Sequence, residues 1–371
     1  MARSKASLKD IARRLDLSAM TVSRALSGQG SVSPKTKARI LAAARKLRYR
    51  PNMLMYGVRT GRTRTIGVIM PTLPTFFSHL LEGLHDELAE ADFTMMLSWS
   101  KGHLVGGHDK DEGRFIHRLL EHRVDGIILQ PTHDNAPHSY FQEIWNERIP
   151  LVAVDRRLPN VKGDFVGTDD RAAGRMAADY LLSLGHRRLG HLAGPSGVTT
   201  AMLRRQGFEE MAANHASVLV AKAPQAGIQA SSFLKPALDM LSQSPRPTAI
   251  FAWNDDAAYG AFQAAIKLGL SIPRDLSIIG VGDLEVSLHT TPRLSTIQQH
   301  PNRIGRTAAR MILNRLGGKA NLPPQSVEVP PDLVIRESTG PAPTLASSPP
   351  IASVTGSDIS PAKIAGAGNS G

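Results

Sequence analysis

Residues 18–24, "SAMTVSR", hold hydroxyls, apolar side chains and one guanidinium within about two helical turns. On a helix capped by Ser18, the outward face presents Ala19, Met20, Ser23 and Arg24. Arg24 can donate two hydrogen bonds to a guanine edge in a DNA major groove. Ala19 and Met20 can make only apolar contacts, to thymine methyls or by shape. The hydroxyls of Ser18, Thr21 and Ser23 can reach phosphates, which position a protein on DNA without reading its sequence. A second group of polar residues closes apolar runs further along: Asp155, Asn254-Asp255 and Asp283, with Arg204 in a helix after such a run. A third, "GHDKDEGRFIHRLLEH", carries His108, Asp109, Asp111, Glu112, His117 and His122. Metal ligation there fails on spacing, because residues five apart point about 140° away from each other around a helix. This segment is expected to be a solvated helix face. The sequence has no P-loop, no G-x-S-x-G and no G-x-G-x-x-G, and no nucleophile–base spacing. Catalysis, metal and cofactor are therefore not expected.

The first group needs a helical scaffold, and its flanks supply one. In "SLKDIARRLDLSAMTVSRALSG", Leu8, Ile11, Ala12 and Leu15 mark one helical face. Asp16 suits a left-handed turn residue, Ser18 suits an N-cap, and Val22 and Leu26 form the buried face of the next helix. Short helices joined by a tight turn make a helix-turn-helix. Ser33 and Pro34 open a third helix, with Ile40, Leu41, Ala44 and Leu47 as its apolar stripe and Lys35, Lys37 and Arg39 outside.

Charge supports the nucleic-acid reading. The chain carries +12 overall, with 44 Lys+Arg against 32 Asp+Glu. Residues 1–60 hold 14 basic and 2 acidic side chains, so the entire excess sits in this head.

The second group needs parallel sheets. Apolar runs at 65–71, 93–99, 125–131, 150–155, 188–194, 217–224, 249–255 and 276–283 read as strands buried on both faces. Helical patterns lie between them, as at 78–91, 110–122, 171–184, 204–214, 232–242 and 256–268. Such alternation predicts right-handed crossovers in two sheets, with ligands outside the carboxyl ends of the strands. The remainder, 339–371, is rich in Pro, Ala, Ser and Gly and is expected to be disordered. The absence of an apolar leader, of a bilayer-length apolar run and of cysteine fits a cytoplasmic protein.

The ordered motifs, from "LKDIARRLDLSAMTVSRALSG" and "VSPKTKARILAAARKLRYRPN" through "HRVDGIILQP", "SLGHRRLGHLAGP", "LRRQGFEEM" and "FAWNDDAAYGAF" to "TPRLSTIQQHPNRIGRTAARMIL", resemble the lac and gal repressor family of transcriptional regulators. The resemblance spans about residues 6–338. It implies a small all-α helix-turn-helix DNA-binding domain followed by an α/β two-lobed, periplasmic-binding-protein-like domain with two parallel doubly wound sheets. The expected divisions are a headpiece at 1–50, a hinge helix at 51–61, an effector-binding and dimerisation body at 62–338 and the tail. Within the body, the resemblance puts about 62–161 and 290–325 in the first lobe and 162–289 in the second, with the final strands from 326 crossing between them.

The function implied is that of a DNA-binding regulator, most often a repressor, whose operator affinity responds to a sugar or sugar acid. It would act as a cytoplasmic homodimer, using the helix after Thr75 and the region after Pro292. By the same resemblance Ala19, Met20 and Arg24 read bases, and Ser7, Ser18, Thr21, Ser23, Ser31, Ser33, Thr36 and Asn52 hold phosphates. Val58 occupies the place where the family inserts a hydrophobic wedge into the minor groove. It sits beside Gly57, in a helix too short to be stable alone. Phe76, Phe77, Asp155, Arg204 and Asn254 match effector-binding positions.

The chain departs from the family at Gly282, where an acid is common; Asp283 follows it. Trp99 and Trp253 end predicted strands where smaller residues are usual, and either could wall a sugar pocket. Keeping Arg204 while losing that acid favours an anionic effector.

Overall fold

The computed structural model describes residues 6–27, 32–49, 61–70, 75–99, 109–131, 139–157, 163–223, 230–319 and 322–344. The chain divides into two units, Met1–Arg64 and Thr65–Gly371.

In the first unit, α1 (Leu8–Leu15), α2 (Ala19–Ser27) and α3 (Pro34–Lys46) surround Ile11, Val22 and Ile40, all fully buried. Each helix starts on a serine. Ser7 forms a reciprocal capping box with Asp10. Ser18 Oγ accepts from Thr21 N–H at 3.1 Å, and Ser33 Oγ from Thr36 N–H at 3.2 Å. Asp16, at φ 53°, ends α1 in the left-handed conformation. Leu41, expected in the stripe of α3, is exposed; Ala43 is buried instead. The hinge expected at 51–61 lies outside the described residues except for Gly61.

The second unit holds β1 (Thr65–Met70), α4 (Thr75–Glu90), β2 (Thr94–Trp99), α5 (Asp109–Glu121), β3 (Gly126–Leu129), α6 (Ser139–Asn146), β4 (Leu151–Val154) and β5 (Asp164–Thr168). After these come α7 (Asp170–Ser183), β6 (Arg188–Leu192), α8 (Thr199–Ala212), β7 (Ser217–Ala221), α9 (Leu234–Leu241), β8 (Ala249–Ala252) and α10 (Asp255–Lys267). It closes with β9 (Ser277–Val281), α11 (Val286–His289), β10 (Ser295–Gln298), α12 (Pro301–Asn314), β11 (Ser326–Val329) and β12 (Asp332–Val334).

All eight expected strands form, and the order places them in two sheets: β11-β5-β4-β3-β1-β2 and β12-β10-β9-β8-β6-β7. Every pairing is parallel except β10 with β12. Discounting the last strand to arrive, both sheets share one doubly wound order, with the first strand between the second and the third.

The lobe boundaries need correcting. β5 belongs to the first sheet and β10 to the second, so the chain passes between lobes after β5, after β10 and after β11. The pattern of apolar runs misses both strands because "DFVGT" and "STIQ" are polar-rich although mostly buried. Alternate residues of each sheet feed cores on its two faces: Ile66, Val68 and Ile128 against Ile69, Ile127 and Leu129 in the first lobe, and Ile250 and Ile278 against Phe251 and Ile279 in the second.

Close helix pairs flank each sheet. A Cβ on Gly83 would lie 2.1 Å from Asn302 O, and one on Gly305 2.0 Å from Leu80 O. In the second lobe, a Cβ on Gly174 would lie 2.0 Å from Arg204 O, and one on Gly207 2.0 Å from Arg171 O. Reciprocal glycines thus let α4 and α12, and likewise α7 and α8, approach backbone to backbone.

Residues 339–344, expected to start the disordered tail, are held to the second lobe. Thr339 Oγ1 lies 2.8 Å from Tyr180 Oη, Gly340 N–H donates to Ser277 Oγ at 3.1 Å, and Ala342 N–H donates to Leu184 O at 2.9 Å. The rest of that segment, 345–371, lies outside the described residues.

Candidate functional site

In the head, burial of Val22 and Ala25 turns the opposite face of α2 outward. Ala19 and Arg24 are exposed there, Ser23 is half-buried, and Met20 is 63% exposed. Leaving a large thioether in water is unfavourable unless another surface covers it. Ser18 and Thr21 hydroxyls lie 2.9 Å apart at the N-terminus of α2, and Ser33 and Thr36 hydroxyls 2.8 Å apart at that of α3. Helix N-termini carry partial positive charge and favour phosphate. Ser7 differs. Its hydroxyl donates to Asp10 Oδ2 at 2.7 Å, so its one hydrogen is spent. The Ser7 backbone N–H, and after it this hydroxyl, hold the Asp10 carboxyl below its ordinary range, leaving an anion where a phosphate was expected. Ser31, Asn52 and Val58 lie outside the described residues.

In the body, polar groups gather at the carboxyl ends of β4, β5 and β8. Asp155 follows β4 at φ 64°, half-buried, and accepts from Gln130 Nε2 at 2.7 Å. Asp170, the first residue of α7, is buried and accepts from Arg204 Nε at 2.7 Å. Arg204, in the second turn of α8, also donates through Nη1 to Trp253 O at 2.7 Å. Burial pushes the Asp170 carboxyl up to about 7; Arg204 opposes that rise, and Asp155 adds to it by repulsion. Asn254 caps α10, accepting from Ala257 N–H at 2.9 Å through Oδ1. Its amide NH₂ has no partner among the described residues.

Other expected effector residues are placed differently. Phe76 and Phe77 pack edge to face, 5.0 Å between centroids, inside the first-lobe core. Trp253 is core as well, with its ring close over Gly194 and its indole N–H buried without an acceptor among the described residues. Trp99 ends β2 opposite Met70, and its side chain lies outside the described residues. Asp283 is at the right end of β9, but both its oxygens are engaged, by Arg336 Nη2 at 2.5 Å and Gln298 Nε2 at 2.9 Å. On α5, Glu112 is buried, unlike a solvated face, and His117 pairs with Glu121 and Glu143.

The sequence reading missed Asp170 and Gln130, and it marked Asp255 only as a polar strand end without seeing that it is buried. Asp255 is fully buried, accepting from Thr296 Oγ1 at 2.6 Å and Leu284 N–H at 2.8 Å. Each acid sits first in its helix, where an ordinary dipole-matched residue looks the same in sequence.

Residues 7–52 match the model for bacterial regulatory proteins of the lacI family, and residues 178–339 that for a periplasmic binding protein-like domain. The HTH-type transcriptional repressor PurR of Proteus mirabilis (strain HI4320) is 31% identical over 344 residues, spanning 91% of this chain and 98% of the relative. Its namesake in Escherichia coli O1:K1 / APEC is 30% identical over the same spans. Among solved structures, the complex of the transcriptional regulator CelR with cellobiose superposes with a TM-score of 0.65 at 25% identity, covering 90% of this chain and 99% of that one. The lac repressor dimer bound to operator and the anti-inducer ONPF gives 0.77 at 24% identity, covering 91% and 100%, a likeness of fold. No helix among the described residues is long and apolar enough to cross a membrane.

Proposed function

The chain belongs to the lacI family of bacterial regulatory proteins, and from that premise we propose how its residues divide the work of an effector-responsive transcriptional repressor. The head reads operator DNA. Arg24 donates to a base edge, Ala19 and Met20 fit against thymine methyls, and Ser18, Thr21, Ser23, Ser33 and Thr36 hold phosphates, with Ser31 and Asn52 added from sequence. Val58, by its place in the sequence, is the minor-groove wedge. The chain works as a homodimer, each head in one of two successive major grooves about 34–36 Å apart. The body binds a sugar or sugar acid between its lobes against Asp155, Arg204 and Asn254. CelR, solved with cellobiose, supports that class. The effector shifts the population between forms that bind and release the operator. The relatives are transcriptional regulators, and no residue here is assigned a catalytic role. The cytoplasm is where operator DNA is.

The observation that carries this reading is Met20, 63% exposed beside Arg24 on a helix whose other face buries Val22 and Ala25. The test is fluorescence anisotropy of labelled DNA from upstream of the protein's own gene, titrated with full-length protein, with and without a panel of sugars. Sequence-preferring binding is expected, with a midpoint that one sugar moves by about tenfold or more. Equal affinity for scrambled DNA sinks the DNA reading. A midpoint no sugar moves sinks the effector reading.

A further inference from the structure

We propose that Asp170 is a specificity-determining residue that selects an uncharged polyhydroxylated effector and rejects the corresponding sugar acid. The inference rests on the reading above, that a sugar binds between the lobes, and narrows its chemistry. The sequence favoured an anionic ligand because Arg204 was present and an expected acid was absent. The geometry reverses that argument. Arg204 is no open cation. Its Nε is taken by Asp170 at 2.7 Å and its Nη1 donates to Trp253 O at 2.7 Å, with the side chain 5% exposed.

A carboxylate is best recognised by a guanidinium's parallel N–H pair. In Arg204 the Nε member of the side-on pair is already spent on an internal carboxylate. The second Nη1 hydrogen and both on Nη2 have no partner among the described residues and can donate to hydroxyls, on a guanidinium whose charge Asp170 already offsets.

The surrounding charge points the same way. Asp155 and Asp169 both repel charge on Asp170, the carboxylate that Arg204 pairs with. Asp155 accepts from Gln130 Nε2, and Asp169 accepts from Ala172 N–H at 2.8 Å; neither bond neutralises a charge. Elsewhere at this end of the sheets, Asp283 is matched by Arg336, and Asp255 accepts from the uncharged Thr296 hydroxyl and Leu284 N–H. Even with Arg156, buried directly after Asp155, counted beside Arg204, carboxylates outnumber cations here among the described residues, and like charges repel strongly where water is scarce. A neutral sugar meets what hydroxyls need: acceptors on Asp155, and donors on Arg204 Nη2 and the Asn254 amide.

The test uses full-length protein and matched pairs differing only in one oxidised carbon: glucose with gluconate, galactose with galacturonate, ribose with ribonate, cellobiose with cellobionate. Thermal shift finds the binding pair, and calorimetry near pH 8 gives both affinities. We expect the neutral member to bind and its acid to bind at least about tenfold more weakly. Asp170→Asn, which keeps an acceptor for Arg204 and removes the charge, should narrow that ratio about tenfold. An acid that binds wild type as tightly as its sugar overturns the inference while leaving the sugar reading intact. So does an unchanged ratio in Asp170→Asn. If no member of any pair binds, the sugar reading fails and takes the inference with it. The wild-type comparison stands even if the variant does not fold.

Discussion

Met20 and Arg24 share a helix face and should fail differently when removed. Arg24 offers directional donors, so Arg24→Ala is expected to weaken specific operator binding by roughly 1–3 kcal/mol and relax preference at one base position. Selection from a randomised operator pool checks this; an unchanged profile removes Arg24 from the reading face. Asp255 makes a prediction about pH. Burial pushes its carboxyl up to about 7, although Thr296 and Leu284 both donate to it. A group with a raised pKa stabilises the fold fully below its unfolded value, near 3.9, and loses that contribution as pH rises through about 7. Asp255→Asn, which cannot ionise, should therefore melt further below wild type near pH 5 than near pH 8. A pH-independent gap would show that Asp255 titrates alike in both states. Asp155 and Asn254 stood out in the sequence as polar residues closing apolar runs, and Arg204 through the family motif that holds it. What occupies them was not legible. The partner of Asp283 lies 53 residues away and that of Arg204 34 residues away, distances over which spacing says nothing.

At the scale of elements, the reciprocal glycines do for each lobe what apolar stripes alone cannot. They bring helix backbones into contact and so fix the register of whatever the helices carry. In the second lobe they carry Asp170 on α7 and Arg204 on α8. A Cβ on Gly174 would meet Arg204 O at 2.0 Å and Phe208 N at 2.8 Å, backbone atoms that cannot rotate away. Gly174→Ala should therefore part the helices, cost about 1–3 kcal/mol of stability, and weaken effector binding about tenfold or more. Gly83→Ala, facing Asn302 O at 2.1 Å, should melt early too but keep its effector affinity, because α4 and α12 carry none of the clustered polar groups. Thermal melts paired with effector titrations separate the two; equal loss of affinity in both would mean the site responds to general loosening. The same scale explains which strands could be read from sequence. Eight are apolar runs. β5 and β10 hide because their polar residues are satisfied from elsewhere: Asp164 by Arg315, Thr296 by Asp255, Ser295 by Ser338 and Thr339. Burial without apolarity becomes visible only when those distant partners are in place.

At the scale of the molecule, three crossings join the lobes, and side chains tie them to each other. Gln299 Nε2 donates to Thr168 Oγ1 at 3.2 Å, and His300 Nε2 lies 2.8 Å from Asp332 Oδ2. Leu284 reaches from the second lobe into the first-lobe core, its N–H held by Asp255. Such a body can change lobe closure as a hinge while its cores stay whole. It owes none of its cores to the head: the residues of Ile11, Val22 and Ile40 form a cluster of their own, and the chain divides at Arg64 and Thr65. A fragment of residues 65–344 should therefore fold and bind effector with the affinity of the full chain, yet fail to retard operator DNA. Its end point matters. Stopping at 336 removes Ser338, whose hydroxyl donates to buried Ile278 O and accepts from buried Ser295 N–H, together with Thr339 and Gly340, which bond half-buried Tyr180 and a His186 nitrogen shared with Ser277. Each buried group left unpaired costs about 1–3 kcal/mol, so residues 65–336 should melt well below residues 65–344. Calorimetric titration, gel retardation and thermal melts of the two fragments check these statements together. Operator binding by residues 65–344 would place DNA contacts in the body, and equal melting of the two fragments would make the 337–344 strap incidental.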